Sequence, residues 1–180
     1  MTLGLQAGVQ NLPFIPVLGL IGSDYLKYRP DLKTVKDPYT GNEYIAYPAI
    51  IPDVSLIHGY KGDRFGGLTT HAYREDRLVA MAAKKTIAVV EELVEPDEVV
   101  PGLYEIYVSP FHVDAVVVAP GGAHPTACPG KYETDYKHLD EYVAASKDET
   151  TFQEYLEKYV LSVKDQEEYL KKVGFEHHGN

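Results

Sequence analysis

Four histidines, His58, His71, His112 and His124, sit near the ends of apolar runs, with Asp53, Asp63 and Asp114 close by in sequence. Imidazole and carboxylate are donors that zinc and related metals take. A metal site also needs a spacing that gathers its donors, and no H-x-H or H-E-x-x-H pattern occurs; the close pair, His177 and His178, lies in the terminal tail. The expectation is no metal, and histidines that serve as hydrogen-bonded structural groups. Cys128 has His124 four residues before it. A nucleophilic thiol needs an oriented base and a reason for a lowered pKa, and the sequence shows neither. Ser23, in Gly22-Ser23-Asp24, lacks the flanking pattern of a G-x-S-x-G elbow, so its expected role is a turn or a helix cap.

A different pattern repeats. Three times an apolar run of strand type opens into glycine: Phe14–Leu18 into Gly19-Leu-Ile-Gly22-Ser23-Asp24, Val54–His58 into Gly59 through Gly67, and His112–Ala119 into Pro120-Gly121-Gly122-Ala123-His124-Pro125. Loops at strand ends are where open α/β sheets take ligands, and glycine lets a backbone approach them closely. The same loops also occur as plain tight turns, and the sequence leaves both readings open. Neither G-x-G-x-x-G nor G-x-x-x-x-G-K-[ST] is present, which removes the usual marks of a dinucleotide or nucleoside triphosphate site.

These loops need elements to hold them. Leu5, Val9 and Leu12 predict a helix from about Met1 to Asn11, followed by a buried strand at Phe14–Leu18. Thr34–Lys36 and Glu43–Tyr47 flank the turn-rich Asp37-Pro-Tyr-Thr-Gly-Asn42 and predict a hairpin. Val54–His58 reads as a central strand, Glu75–Lys85 as a helix feeding a strand at Thr86–Val90, and His112–Ala119 as the strongest strand of the chain. Phe152, Tyr155, Leu156, Tyr159 and Val160 form the stripe of an amphipathic helix, and a further helix covers Asp165–Val173 and stops at Gly174. The tail from Glu176 to Asn180 is expected to fray. Apolar strands alternating with helical stretches predict an α/β fold with helices on both faces of a layered sheet. One α/β domain over residues 1–180 is the expectation, with 130–180 as its helical C-terminal extension.

A net charge of −10, from 17 basic and 27 acidic residues without a basic run, argues against nucleic acid or an anionic membrane surface as partner. A single cysteine cannot form an intramolecular disulfide. No leader-like N-terminus and no apolar stretch near the roughly 18 residues of a bilayer span is evident, so a cytoplasmic location is expected and no membrane. Fifteen tyrosines against five phenylalanines and no tryptophan is unusual, but points to no activity.

The loops resemble, in order and spacing, the C-terminal half of the A subunit of class I CoA-transferases, in the group of the glutaconate CoA-transferases and the related steroid-ring-cleaving acyl-CoA hydrolases. The resemblance is carried by Gly4-Leu-Gln-Ala-Gly-Val-Gln-Asn-Leu-Pro-Phe-Ile-Pro16 running on to Gly22-Ser-Asp24, by Asp37-Pro-Tyr-Thr-Gly41, and by Pro52-Asp-Val-Ser-Leu-Ile-His58 with Gly62-Asp63 and Gly66. Val90-Glu-Glu-Leu-Val94 and Val113-Asp-Ala-Val-Val-Val-Ala-Pro-Gly-Gly-Ala-His-Pro-Thr126 complete it.

The resemblance implies a Rossmann-like α/β unit of the NagB/RpiA/CoA-transferase type and a composite acyl-CoA site shared with a B subunit and an A-subunit N-terminal half. A glutamate carboxylate of the B subunit would attack the thioester, form a mixed anhydride and then carry CoA as a glutamyl thioester, so no nucleophile is assigned here. Glu91 and Glu92 are read as non-catalytic. The substrate and CoA-binding residues implied are Gly19, Gly22, Ser23, Asp24, Gly121, Gly122, Ala123 and His124, with Asp63–Gly67 as a further loop, and glycine-loop N–H groups would hold the developing oxyanion. No bound cofactor is implied, coenzyme A thioester being substrate beside a carboxylic acid. An oligomer is expected. Two departures stand out: this sequence begins in the helix that should follow the other half of the A subunit, and Leu18 stands where many relatives have arginine. Hydrolysis, with water replacing the acceptor acid, and a non-catalytic fragment are the alternatives.

Overall fold

The computed structural model describes residues 2–175. Its first part is a helix, α1 (Thr2–Val9), and a three-stranded antiparallel sheet of β1 (Phe14–Val17), β2 (Lys33–Lys36) and β3 (Glu43–Pro48) in the order β1-β3-β2, with a short α2 (Tyr25–Tyr28) between β1 and β2. The expected hairpin is present. Asp37 makes its turn by accepting the Tyr39 N–H at 2.9 Å and the Thr40 hydroxyl, and its N–H reaches the Asn42 carbonyl at 2.8 Å. The Phe14 run differs from expectation. It is a half-exposed outer strand, not a buried one opening onto a central sheet, because Pro16 has no N–H to give a neighbour on its other side.

The second sheet holds β4 (Ser55–Gly62), β5 (Leu68–His71), β6 (Thr86–Leu93), β7 (Glu105–Val108) and β8 (Ala115–Val118) in the order β7-β5-β4-β6-β8. β4, β6 and β8 are parallel, whereas β5 runs antiparallel to β4 and β7 antiparallel to β5. Helix α3 (Asp76–Ala82) packs on one face, over a core of Ile57, Leu68, Ala80, Ala88, Val90 and Val108. Each large apolar side chain buried there stabilises the fold by about 1.5–3 kcal/mol.

Two further expectations are corrected here. β4 does not stop at His58 but runs on through Gly59 and Gly62, and these glycines are packing residues: a Cβ on Gly59 would lie 2.6 Å from Leu68, and one on Gly62 2.8 Å from Val90. The loop that follows shrinks to 63–67. β8, read as the strongest strand, is four residues at the sheet edge, with Val117 and Val118 nearly half exposed, and His112 belongs to the turn Pro110–His112 before it. β5 and β7 were not anticipated.

The C-terminal third is helical: α4 (Tyr136–Ala145), α5 (Glu149–Leu156), continued by a π-helical turn at Glu157–Leu161, and α6 (Gln166–Val173). Asp135, Asp148 and Asp165 cap these three helices by accepting backbone N–H groups, and Gly174 closes α6 at φ +69°. Leu170 of α6 lies against the turn that follows β8. The expected fraying concerns 176–180, which lie outside the described residues. No helix among the described residues is long and apolar enough to cross a membrane.

Candidate functional site

Parallel pairing sets the site. His58 on β4 is in register with Val89 on β6, so His58 and Glu91 project from the same face, the one opposite α3. Glu91 is 4% exposed. An ionised carboxylate there requires donors, and it has three: His58 Nε2 at 2.7 Å and the Tyr132 hydroxyl at 2.6 Å from Oε1, and the Gly121 N–H at 2.7 Å from Oε2. Burial alone would raise its pKa, but the bonds from His58, Tyr132 and Gly121 outweigh it and hold the carboxyl below its ordinary value. As the ionised group can only accept, His58 Nε2 carries a proton. Burial first, then the bond to Glu91, pushes the Tyr132 phenol up.

The chain leaves β8 and turns over this carboxylate. Gly121 has φ +69°, and a Cβ on it would stand 2.9 Å from Leu170 and 3.1 Å from the Phe175 ring; one on Gly122 would meet the Ala119 carbonyl at 2.7 Å. Glycine is required at both. The Gly121, Gly122, Ala123 and His124 N–H groups go to Glu91, the Ala119 carbonyl, the Tyr132 hydroxyl and the Gly121 carbonyl respectively. All four donors are spent within the chain, whereas the resemblance implies a loop whose N–H groups hold an oxyanion. The His124 ring, its side chain 3% exposed, lies between the Tyr169 hydroxyl at 2.8 Å and the Asp135 carboxylate at 3.3 Å. His138 stands edge-on to it and meets the Tyr155 hydroxyl at 2.7 Å. Burial, then the neighbouring His124, lowers the His138 pKa.

The loop after β1 is the opposite case. Gly19 and Gly22 have nothing within 4 Å of a built Cβ, though Gly22 has φ +79°. Ser23 donates its hydroxyl to the Leu20 carbonyl at 2.8 Å and Asp24 pairs with Lys27 at 2.6 Å, so the loop is tied only to its neighbours. The N–H groups of Gly19, Leu20, Gly22 and Asp24 have no partner among the described residues. The third loop is self-contained: Asp63 is 4% exposed and accepts the Phe65 and Gly67 N–H groups at 2.7 and 3.1 Å. Asp63–Gly67 and Gly121–His124 leave the same end of the parallel strands, while Gly19–Asp24 leaves the smaller sheet.

The fold also gathers a His58 ring nitrogen, a Glu91 oxygen and Cys128 Sγ within 4.8 Å of one another, a donor set that no sequence spacing disclosed. Burial, then the charge of Glu91, pushes the Cys128 thiol up to about 12, so it stays protonated, and both carboxylate oxygens are engaged. As arranged, His58 and Glu91 belong to a hydrogen-bonded network with Tyr132 and Gly121, and the buried Cys128 thiol lies beside it. Sequence reasoning missed Glu91 and Tyr132 as members of this network, and Asp135 and Tyr169 as partners of the His124 ring. The available signal was an acid at an inward position of an otherwise apolar strand.

An α/β sheet whose parallel strands end in glycine turns defines the class of fold, and comparison with known proteins defines the family. The coenzyme A transferase family model matches residues 2–119, and the chain belongs to that family. It is 33% identical to the A subunit of 3-oxoadipate CoA-transferase from Pseudomonas knackmussii, over 93% of this chain and 59% of that protein. It is also 33% identical to the cholesterol ring-cleaving hydrolase IpdA subunit of Rhodococcus jostii, over 90% of this chain and 58% of that one. The crystal structure of glutaconate coenzyme A-transferase from Acidaminococcus fermentans superposes with a TM-score of 0.83 at 29% identity, covering 97% of this chain and 60% of that chain. The chain thus spans about three fifths of the length of these relatives.

Proposed function

We propose that the chain is the part of a CoA-transferase A subunit that shapes an acyl-CoA site, completed by a B subunit and by the portion of the A subunit that the relatives carry in addition. The observation that carries this reading is the likeness to glutaconate coenzyme A-transferase along 97% of the chain. In it the open loop Gly19–Asp24 presents its unpaired N–H groups to the oxyanion or phosphate oxygens of an acyl-CoA. Gly121–His124 serves as a rigid wall, by shape and not by donation. The nucleophilic carboxylate comes from the B subunit, no cofactor is held, coenzyme A thioester and a carboxylic acid are the substrates, and the assembly works in the cytoplasm.

The test is affinity purification from the native source with mass spectrometry of what accompanies the chain, and an exchange assay between an acyl-CoA and acetate on the eluate. A second α/β subunit with exchange activity is the expected result; a solitary and inactive chain would sink the reading. The likeness to the ring-cleaving hydrolase subunit favours one alternative, in which water takes the place of the acceptor acid. Turnover that a free carboxylate does not stimulate distinguishes it.

A further inference from the structure

We propose that Glu91 is the positioning residue of the Gly121–His124 loop, a buried latch that sets where the wall of the site stands. The inference rests on the proposed function for its catalytic meaning but not for its structural one. Glu91 sits on β6 and reaches across to three separate pieces of chain: His58 on β4, Gly121 after β8, and Tyr132, 41 residues along. Its grip on the loop is double. One oxygen takes the Gly121 N–H, and the other takes the Tyr132 hydroxyl, which in turn receives the Ala123 N–H at 2.9 Å. Alternate amides of the loop are therefore fixed by one side chain, directly at Gly121 and through one phenol at Ala123. His58 holds the carboxylate from the far side, so Glu91 cannot swing away without breaking a bond on β4 as well.

The remaining N–H groups of the turn bond within it, Gly122 to Ala119 and His124 to Gly121. They preserve its local shape but do not attach it to the sheet. Removal of Glu91 thus loosens the turn at Gly121 and Ala123, while the His124 ring keeps its bonds to Tyr169 and Asp135 and the strand beneath keeps its pairing. The reacting groups of an acyl transfer tolerate little misplacement, about 1 Å costing up to a hundredfold in rate, which is how a residue that touches no substrate comes to matter.

The test is amide hydrogen exchange resolved at residues 119–132 in Glu91→Ala, in Tyr132→Phe and in Val90→Ala. The last empties a buried site on the same strand but the opposite face, and leaves the latch intact. Exchange is compared at denaturant concentrations that equalise global stability. In Glu91→Ala the Gly121 and Ala123 amides exchange faster than in Val90→Ala by about tenfold or more, as loss of a charged hydrogen bond implies. In Tyr132→Phe the excess falls on Ala123 and spares Gly121, and this variant decides the matter if Glu91→Ala does not fold. Equal exchange of these amides in Val90→Ala and in either latch variant overturns the proposal. In the complex with a B subunit, Glu91→Ala lowers kcat/KM for acyl-CoA by about tenfold or more, and Val90→Ala below its melting temperature does not. A wild-type complex without acyl-CoA turnover refutes the functional reading, and the exchange data still judge the latch.

Discussion

The two glycine turns that leave β1 and β8 look alike in sequence and are opposites in space. At Gly19 and Gly22 a side chain would meet nothing within 4 Å, whereas at Gly121 and Gly122 it would strike atoms under 3 Å away. The first turn leaves N–H groups unpaired among the described residues, and the second spends all four of its own. Glycine thus serves availability in one turn and compactness in the other. What decides between them is a distant partner: Glu91 lies 30 residues before Gly121, and the Gly19–Asp24 turn has no counterpart to it among the described residues.

Substitutions break or sharpen this contrast, and the largest effect is expected where the turn is closed. Gly121→Val forces a β-branched residue to positive φ and drives its methyls into Leu170 and Phe175. It should cost about 3 kcal/mol of stability, the sum of backbone strain and overpacking, read from urea midpoints. Gly22→Ala meets only the φ strain, about 1 kcal/mol, and Gly19→Ala, with neither strain nor contact, should stay within about 0.5 kcal/mol of wild type. Equal losses at positions 19 and 121 would dissolve the distinction.

Acid should separate the closed region into two steps. His138 has a lowered pKa in the folded chain, through burial and the nearby His124, so the unfolded chain binds more protons below about pH 6.5 and stability falls with pH from there. Glu91 is also lowered, the bonds from His58, Tyr132 and Gly121 outweighing burial. Its contribution is full above the ordinary carboxylate range and is lost as pH falls through that range toward the folded pKa. Urea midpoints between pH 8 and 3, in wild type and His138→Phe, should show the first loss vanish in the variant and the second persist. The smallest perturbation is chemical: the Cys128 thiol, buried and pushed up to about 12, should resist iodoacetamide at pH 8 in the native chain and react at once in guanidinium. Rapid native labelling would show the region near Glu91 to be open.

The sequence disclosed those parts of the fold whose cause is local. Asp37, Thr40 and Gly41 build the hairpin turn from neighbours a few positions apart, and Asp165 and Gly174 bound α6 by capping alone. β5 and β7 escaped because they are four residues each and β5 turns Thr69 and Thr70 inward, polar residues that give no apolar alternation. Thr70 lies there because its hydroxyl is 3.0 Å from the His58 carbonyl and 2.8 Å from Asp76. The edge position of β8 was hidden for another reason: an apolar run states that burial is wanted, not which neighbour supplies it. At the site, Gly121 to His124 were legible as a loop, but their role depended on Glu91, which on sequence alone is one more acid among 27 carboxylates.

The clasp on the His124 ring has a consequence for how the polypeptide is made. Tyr169, which takes Nδ1 of that ring, lies 45 residues downstream, and Asp135 lies 11 downstream. Synthesis runs from the N-terminus, and what emerges first can fold first. The large sheet can form as soon as β8 is out, but the ring beside it has no partner on α6 until Tyr169 follows. The Gly121–His124 turn is thus completed late in biogenesis, after the sheet that supports it, and nascent chains arrested between β8 and α6 should carry an ordered sheet with an unfinished edge.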